Sequence, residues 1–97
     1  MDRSEALAVA DGVLSELRKL SYGEWLQRLN RPSVKSVESQ GGRTYEVEVE
    51  AFWDGAKNGN IRVVALVSGG GWSDFAPLSR DFIIAPDGSF IGENTSY

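Results

Sequence analysis

The feature that most constrains this chain is a change of apolar period near Pro32. Ahead of it, Ala6, Leu7, Val9, Ala10, Val13, Leu14, Leu17 and Leu20 fall inside an arc of about 160° on a helical wheel. Glu5, Asp11, Ser15, Glu16, Arg18 and Lys19 take the opposite side. Beyond it, Tyr45, Val47, Val49, Ala51 and Trp53 alternate with Thr44, Glu46, Glu48, Glu50 and Phe52, the period of a strand with one buried and one wet face. A helical stripe and a one-sided sheet each need an apolar partner, and 97 residues have room for one core, so each must bury the other. The expected fold is α+β in one domain over residues 1–97, with a helical region at 4–29 and a sheet at 34–93. The helical region, one long and one short helix, packs on one face of a four- to five-stranded antiparallel β-meander.

Local signals place the boundaries. Asp2 and Glu5 read as a capping box for a helix reaching Leu20, and Arg18 and Lys19 put positive charge at the negative end of its dipole. Ser21 and Glu24 repeat the capping signal for a short second helix through Trp25, Leu26 and Leu29, which Asn30-Arg31-Pro32 ends. Val34 to Gln40 pairs with the alternating strand through Gly41-Gly42 and is a candidate unpaired edge, which leaves dimerisation by edge pairing open. Asp54 to Asn60, with Asn58-Gly59, forms the next turn. Ile61 to Val67 is apolar on both alternating sets except at Arg62, as suits a central strand covered on both faces over part of its length. Ser68 to Pro77 is a longer loop, Leu78 to Ala85 a fourth strand, and Pro86-Asp87-Gly88 turns the chain into a short last strand around Phe90 and Ile91.

Composition removes several chemistries. Without histidine or cysteine the chain holds no Ser-His-Asp triad, Cys-His pair, histidine or thiolate metal site, or disulfide, and an enzyme would have to work with carboxylates, lysine or tyrosine. The absence of cysteine is compatible with a reducing cytoplasm, the expected location. A net charge of −4 opposes capture of nucleic acid, and the apolar runs are too short for a membrane span, so neither partner is expected. The charges among the first twenty residues also break up any signal-peptide core. Gly69-Gly70-Gly71 lacks the Lys and Ser/Thr of a phosphate loop and is followed by Asp74, so it reads as a flexible hairpin loop. No cofactor or metal is expected.

What remains are surface candidates. Glu46, Glu48 and Glu50 share one face of one strand, successive carboxylates about 7 Å apart by strand rise. They form either an acidic strip for a basic protein or a solvated face relieved by cross-strand Lys and Arg. Asp54, Asp74, Asp81 and Asp87 fall in or near turns, where aspartate caps backbone amides, although a converging pair would supply an acid and a base. Trp53 is in phase with the buried face of its strand. Trp72 and Phe75, with Asp74 between them, lie in the glycine-rich loop as either core caps or contact anchors, and Trp72→Ala separates the two by its effect on stability.

The run from Tyr45 to Trp53-Asp54, then Ile61-Arg62-Val63, then Asp81-Phe82-Ile83 leading to Pro86-Asp87-Gly88-Ser89-Phe90-Ile91-Gly92-Glu93, resembles a small bacterial domain family of unknown function over about half the chain. The resemblance implies a compact bacterial domain and carries no activity or catalytic residue.

The functional expectation is a non-enzymatic protein-interaction module, in one form an acidic inhibitor of immunity type or an adaptor, contacting its partner through Trp72, Asp74, Phe75, Glu46, Glu48 and Glu50. The alternative is a small-ligand binder or carboxylate-dependent enzyme with a pocket between helices and sheet. The expected outcome is an interface filled by Leu7, Leu14, Leu17, Val47, Val49 and Ile84.

Overall fold

A computed structural model describes residues 3–69 and 77–92. Two helices, α1 (Arg3–Leu17) and α2 (Tyr22–Leu26), precede four strands, β1 (Ser33–Glu38), β2 (Thr44–Trp53), β3 (Ile61–Gly69) and β4 (Leu78–Ile84). The strands form one antiparallel sheet in the order β1-β2-β3-β4, so the fold is α+β with the helices ahead of a meander. Among the described residues no helix is long and apolar enough to cross a membrane.

The period change becomes the core directly. Ala6, Val9, Ala10, Val13 and Leu14 of α1 are buried, the i, i+3, i+4, i+7, i+8 set of an amphipathic helix. They meet Tyr45, Val47, Val49 and Ala51 of β2, Ile61, Val63, Ala65 and Val67 of β3, and Leu78, Phe82 and Ile84 of β4. Leu7, Leu17, Leu20 and Trp53 pack partly buried around this cluster. Alanines in both layers of the core, Ala6 and Ala10 in α1 and Ala65 in β3, permit close approach of helix to sheet.

The second capping signal is realised: Ser21 Oγ accepts from the Glu24 amide at 3.1 Å, and the Glu24 carboxylate accepts from the Ser21 amide at 2.9 Å. These bonds and the Arg28 charge hold the Glu24 carboxyl below its ordinary pKa. The first reaches beyond the described residues, with Glu5 in the first turn of α1. Asp2 lies outside the described residues, and the Glu5 carboxylate accepts from the Tyr45 hydroxyl at 2.7 Å and from Arg43 at 3.4 Å. α2 is further pinned where the Tyr22 hydroxyl donates to the Gly59 carbonyl at 2.7 Å.

Several expected boundaries are corrected. α1 ends at Leu17 rather than Leu20, and neither basic residue is in its last turn. Lys19 pairs with Glu16, while the Arg18 guanidinium lies 5.2 Å from the Phe82 ring centre and 5.8 Å from that of Phe90. α2 stops at Leu26, and the chain turns through Asn30, at φ 58°, whose amide donates to the Ala51 carbonyl at 2.8 Å. No fifth strand forms among the described residues. Asp87 accepts from both the amide and hydroxyl of Ser89, Gly88 adopts φ 89°, and the returning chain makes only a bridge between Ile84 and Phe90. β3 is central, as expected, but among the described residues no layer covers its second face: Leu66 is 37% exposed.

Candidate functional site

The register assigns every strand side chain to one of two faces. The helices cover the face bearing Tyr45, Val47 and Val49. Outward, Glu46 stands between Ser36 and Ser68, Glu48 between Val34 and Leu66, and Glu50 beside Val64. Val34 is 63% exposed, so the middle carboxylate is flanked by uncovered aliphatic side chains on both neighbouring strands.

The outward strand positions offer the three glutamates no counter-charge directly opposite. The cross-strand lysine or arginine expected to relieve them is not there, because Lys35 pairs with Val47 and Arg80 with Ala65, which places both on the helix side. Arg62 does point outward, and it is already held. Its Nε donates to Asp54 at 3.0 Å and its Nη1 to Asp81. These bonds, the one to Asp54 first, raise the guanidinium pKa above its ordinary value.

Asp54, at the β2–β3 turn, and Asp81, which lies within β4 and not in a turn, therefore converge, but on a guanidinium. Both carboxylates act as acceptors in an ion-pair clamp joining the β2–β3 turn to β3 and β4. Asp87 is a turn cap: its bonds to the Ser89 hydroxyl and amide hold its carboxyl below the ordinary range. Asp74, Trp72 and Phe75 lie outside the described residues, so the structure brings together the glutamate part of the expected contact set. Trp53 keeps its predicted phase and closes the end of the core half-buried.

The helix side is not filled throughout. α1 lies mainly over β3 and β4, reaches β2 less, and leaves β1 outside the helix layer. The interface is packed under Leu14 and against Val47, Val49 and Ile84 as expected. Between α1 and β1, however, runs a groove of about 650 Å³ lined by Ala8, Val9, Gly12 and Val13 of the helix and Lys35 and Val37 of the strand. The small side chains of Ala8 and Gly12 and the short reach of α1 leave this space. Periodicity marks which residues face inward and carries no information on how many strands a helix spans. Among the described residues no three acidic side chains come together to hold a metal ion.

A second, smaller pocket lies where the chain leaves α2 and enters β1, lined among others by Trp25, Arg28, Arg31 and Lys35. No sequence pattern marked it, since its cations come from the end of a helix, a turn and a strand.

No protein family, curated protein or solved structure matches the chain. A functional reading rests on the geometry.

Proposed function

We propose that this protein is a non-enzymatic interaction module that binds a basic protein surface on the open face of its sheet. The observation that carries this reading is the row Val34, Glu48, Leu66, an uncompensated carboxylate between exposed aliphatic side chains, extended by Glu46 and Glu50. Carboxylates in this arrangement steer a cationic partner, and the aliphatic neighbours supply area to bury once it has docked. An acidic inhibitor of immunity type or an adaptor is the concrete form, and the cysteine-free composition fits work in a reducing cytoplasm.

The test is affinity capture with wild-type bait beside a Glu46→Gln, Glu48→Gln, Glu50→Gln triple variant. The expected result is a specific basic protein on the wild type, released by salt and absent from the variant. Capture of no specific protein, or equal capture by the variant, overturns the proposal.

The groove between α1 and β1 favours a second reading as a small-ligand binder, because its volume falls in the range of about 300–1,000 Å³ usual for ligand pockets. A Cβ added at Gly12 meets no atom within 4 Å, so Gly12→Val narrows the groove from its helix side. Fragment binding seen by NMR at Val9, Val13 and Val37 and lost in Gly12→Val supports this reading. Fragments that shift no groove residue remove it.

A further inference from the structure

The small pocket at the α2–β1 junction has a volume of about 190 Å³. Arg28, Arg31 and Lys35 line it, and among the described residues no carboxylate does. That is an unusual segregation in a chain with 14 acidic residues against 10 basic ones. Arg31 and Lys35 form no ion pair among the described residues, whereas Arg28 stacks over the Trp25 ring at 5.8 Å and lies near Glu24. The Glu24 carboxylate is itself bound to the Ser21 amide.

The apolar side of the pocket is closed by Trp25. It is 1% exposed, and its indole Nε1 has no hydrogen-bond partner. Trp25 also lines the pocket, beside the apolar side chains of Leu17, Val49 and Ala51. An apolar floor and three cations thus meet in one small space. The frame is rigid on both sides. Trp25 packs edge-on against Phe82 with ring centres 6.2 Å apart, and the Asn30 amide fixes the connecting turn to the Ala51 carbonyl.

We infer that this pocket binds a small carboxylate with an apolar body. The aliphatic or aromatic part contacts the Leu17, Val49 and Trp25 side, and the carboxylate accepts from the guanidinium groups of Arg28 and Arg31, with Lys35 adding charge at the rim. Guanidinium groups match a planar carboxylate with two parallel N–H donors, and charge-assisted bonds of this kind are the strong class. The volume admits a single ring or short chain and falls below that of pockets for drug-sized ligands, which start at about 300 Å³. Because Glu46, Glu48 and Glu50 are on the other face of the sheet, this site is independent of the proposed protein contact.

Benzoate, benzamide and inorganic phosphate are the probes, each titrated into 15N-labelled protein while the indole N–H resonances are followed. Trp25→Phe assigns the Trp25 signal. The expected result is a saturable shift of that signal with benzoate, little response to neutral benzamide, and weaker binding of phosphate, which lacks the apolar body. An Arg28→Gln, Arg31→Gln variant, altered only at exposed side chains, should bind benzoate at least about ten-fold more weakly, as expected for loss of one or more charge-assisted bonds. A Trp25 signal indifferent to benzoate, equal responses to benzoate and benzamide, phosphate binding as tight as benzoate, or undiminished binding in the double variant would each overturn the assignment.

Discussion

The Tyr45 hydroxyl donates to the Glu5 carboxylate at 2.7 Å, tying the start of β2 to the first turns of α1 across 40 positions of sequence. Tyr45 is fully buried, and Glu5 is mostly covered, so the bond operates at the edge of the core with Arg43 as its outer guard. It holds the Glu5 carboxyl below its ordinary pKa. Burial first, and then this bond, pushes the Tyr45 phenol up.

Both shifts link stability to pH. A carboxyl lowered in the folded state stabilises fully above its unfolded pKa, and that contribution is lost as pH falls through the folded value. A phenol raised in the folded state contributes fully below its unfolded pKa and loses that contribution as pH rises through the folded value. Tyr45→Phe should therefore lower Tm near neutrality by about 4–8 °C, weaken the acid limb, and abolish the part of the alkaline limb that belongs to Tyr45. Thermal melts across pH check this, and a variant with an unchanged Tm would show that the bond contributes nothing.

Phe82 joins more of the core than any periodicity suggests, since its ring meets Trp25 edge-on, Phe90 at 5.5 Å, and the Arg18 guanidinium. Phe82→Ala should cost about 3–5 kcal/mol through lost burial and the cavity left behind. Against a total of about 5–15 kcal/mol for domains of ordinary stability, much of the protein's margin would be gone. Urea titration followed by tryptophan fluorescence measures the loss, and a cost below about 1 kcal/mol, the range of surface changes, would show that Phe82 is not a keystone of the core.

Asn30 occupies left-handed backbone at φ 58° while its amide bonds to Ala51. Glycine tolerates that conformation, whereas a β-branched side chain costs about 1–2 kcal/mol there. Asn30→Gly should remain within about 0.5 kcal/mol of wild type and Asn30→Val should be destabilised by about 1–2 kcal/mol, as read from urea midpoints. Equal stability of the two variants would contradict the assigned backbone.

Much of this architecture was legible because it depends on short-range pattern. The i, i+3, i+4 positions of α1, the Ser21–Glu24 cap and the alternation from Thr44 to Trp53 are local statements, and each has its expected place. What escaped depends on reach across the fold. Arg18 leaves the helix end for two phenyl rings supplied more than sixty residues later. Val64 and Leu66 look alike in sequence whether a second layer covers them or an open face displays them. Arg28, Arg31 and Lys35 gather in one pocket because the chain turns at Asn30, a geometry that no charge count announces.

Because α1 stops short of β1, that strand is held by its ladder to β2 and by little overhead packing, with Val37 as its only half-covered side chain. Free energy of local opening tracks such burial, so the sheet carries a gradient of cooperativity from a firmly anchored β3 to a loosely anchored β1. Amide exchange in β1 should proceed by sub-global excursions in which the first strand lifts while the rest of the meander stays assembled. Lys35 borders both the groove and the cationic pocket, so each such excursion widens two mouths at once. Access to the interior on this side is thereby governed by how often a single strand detaches.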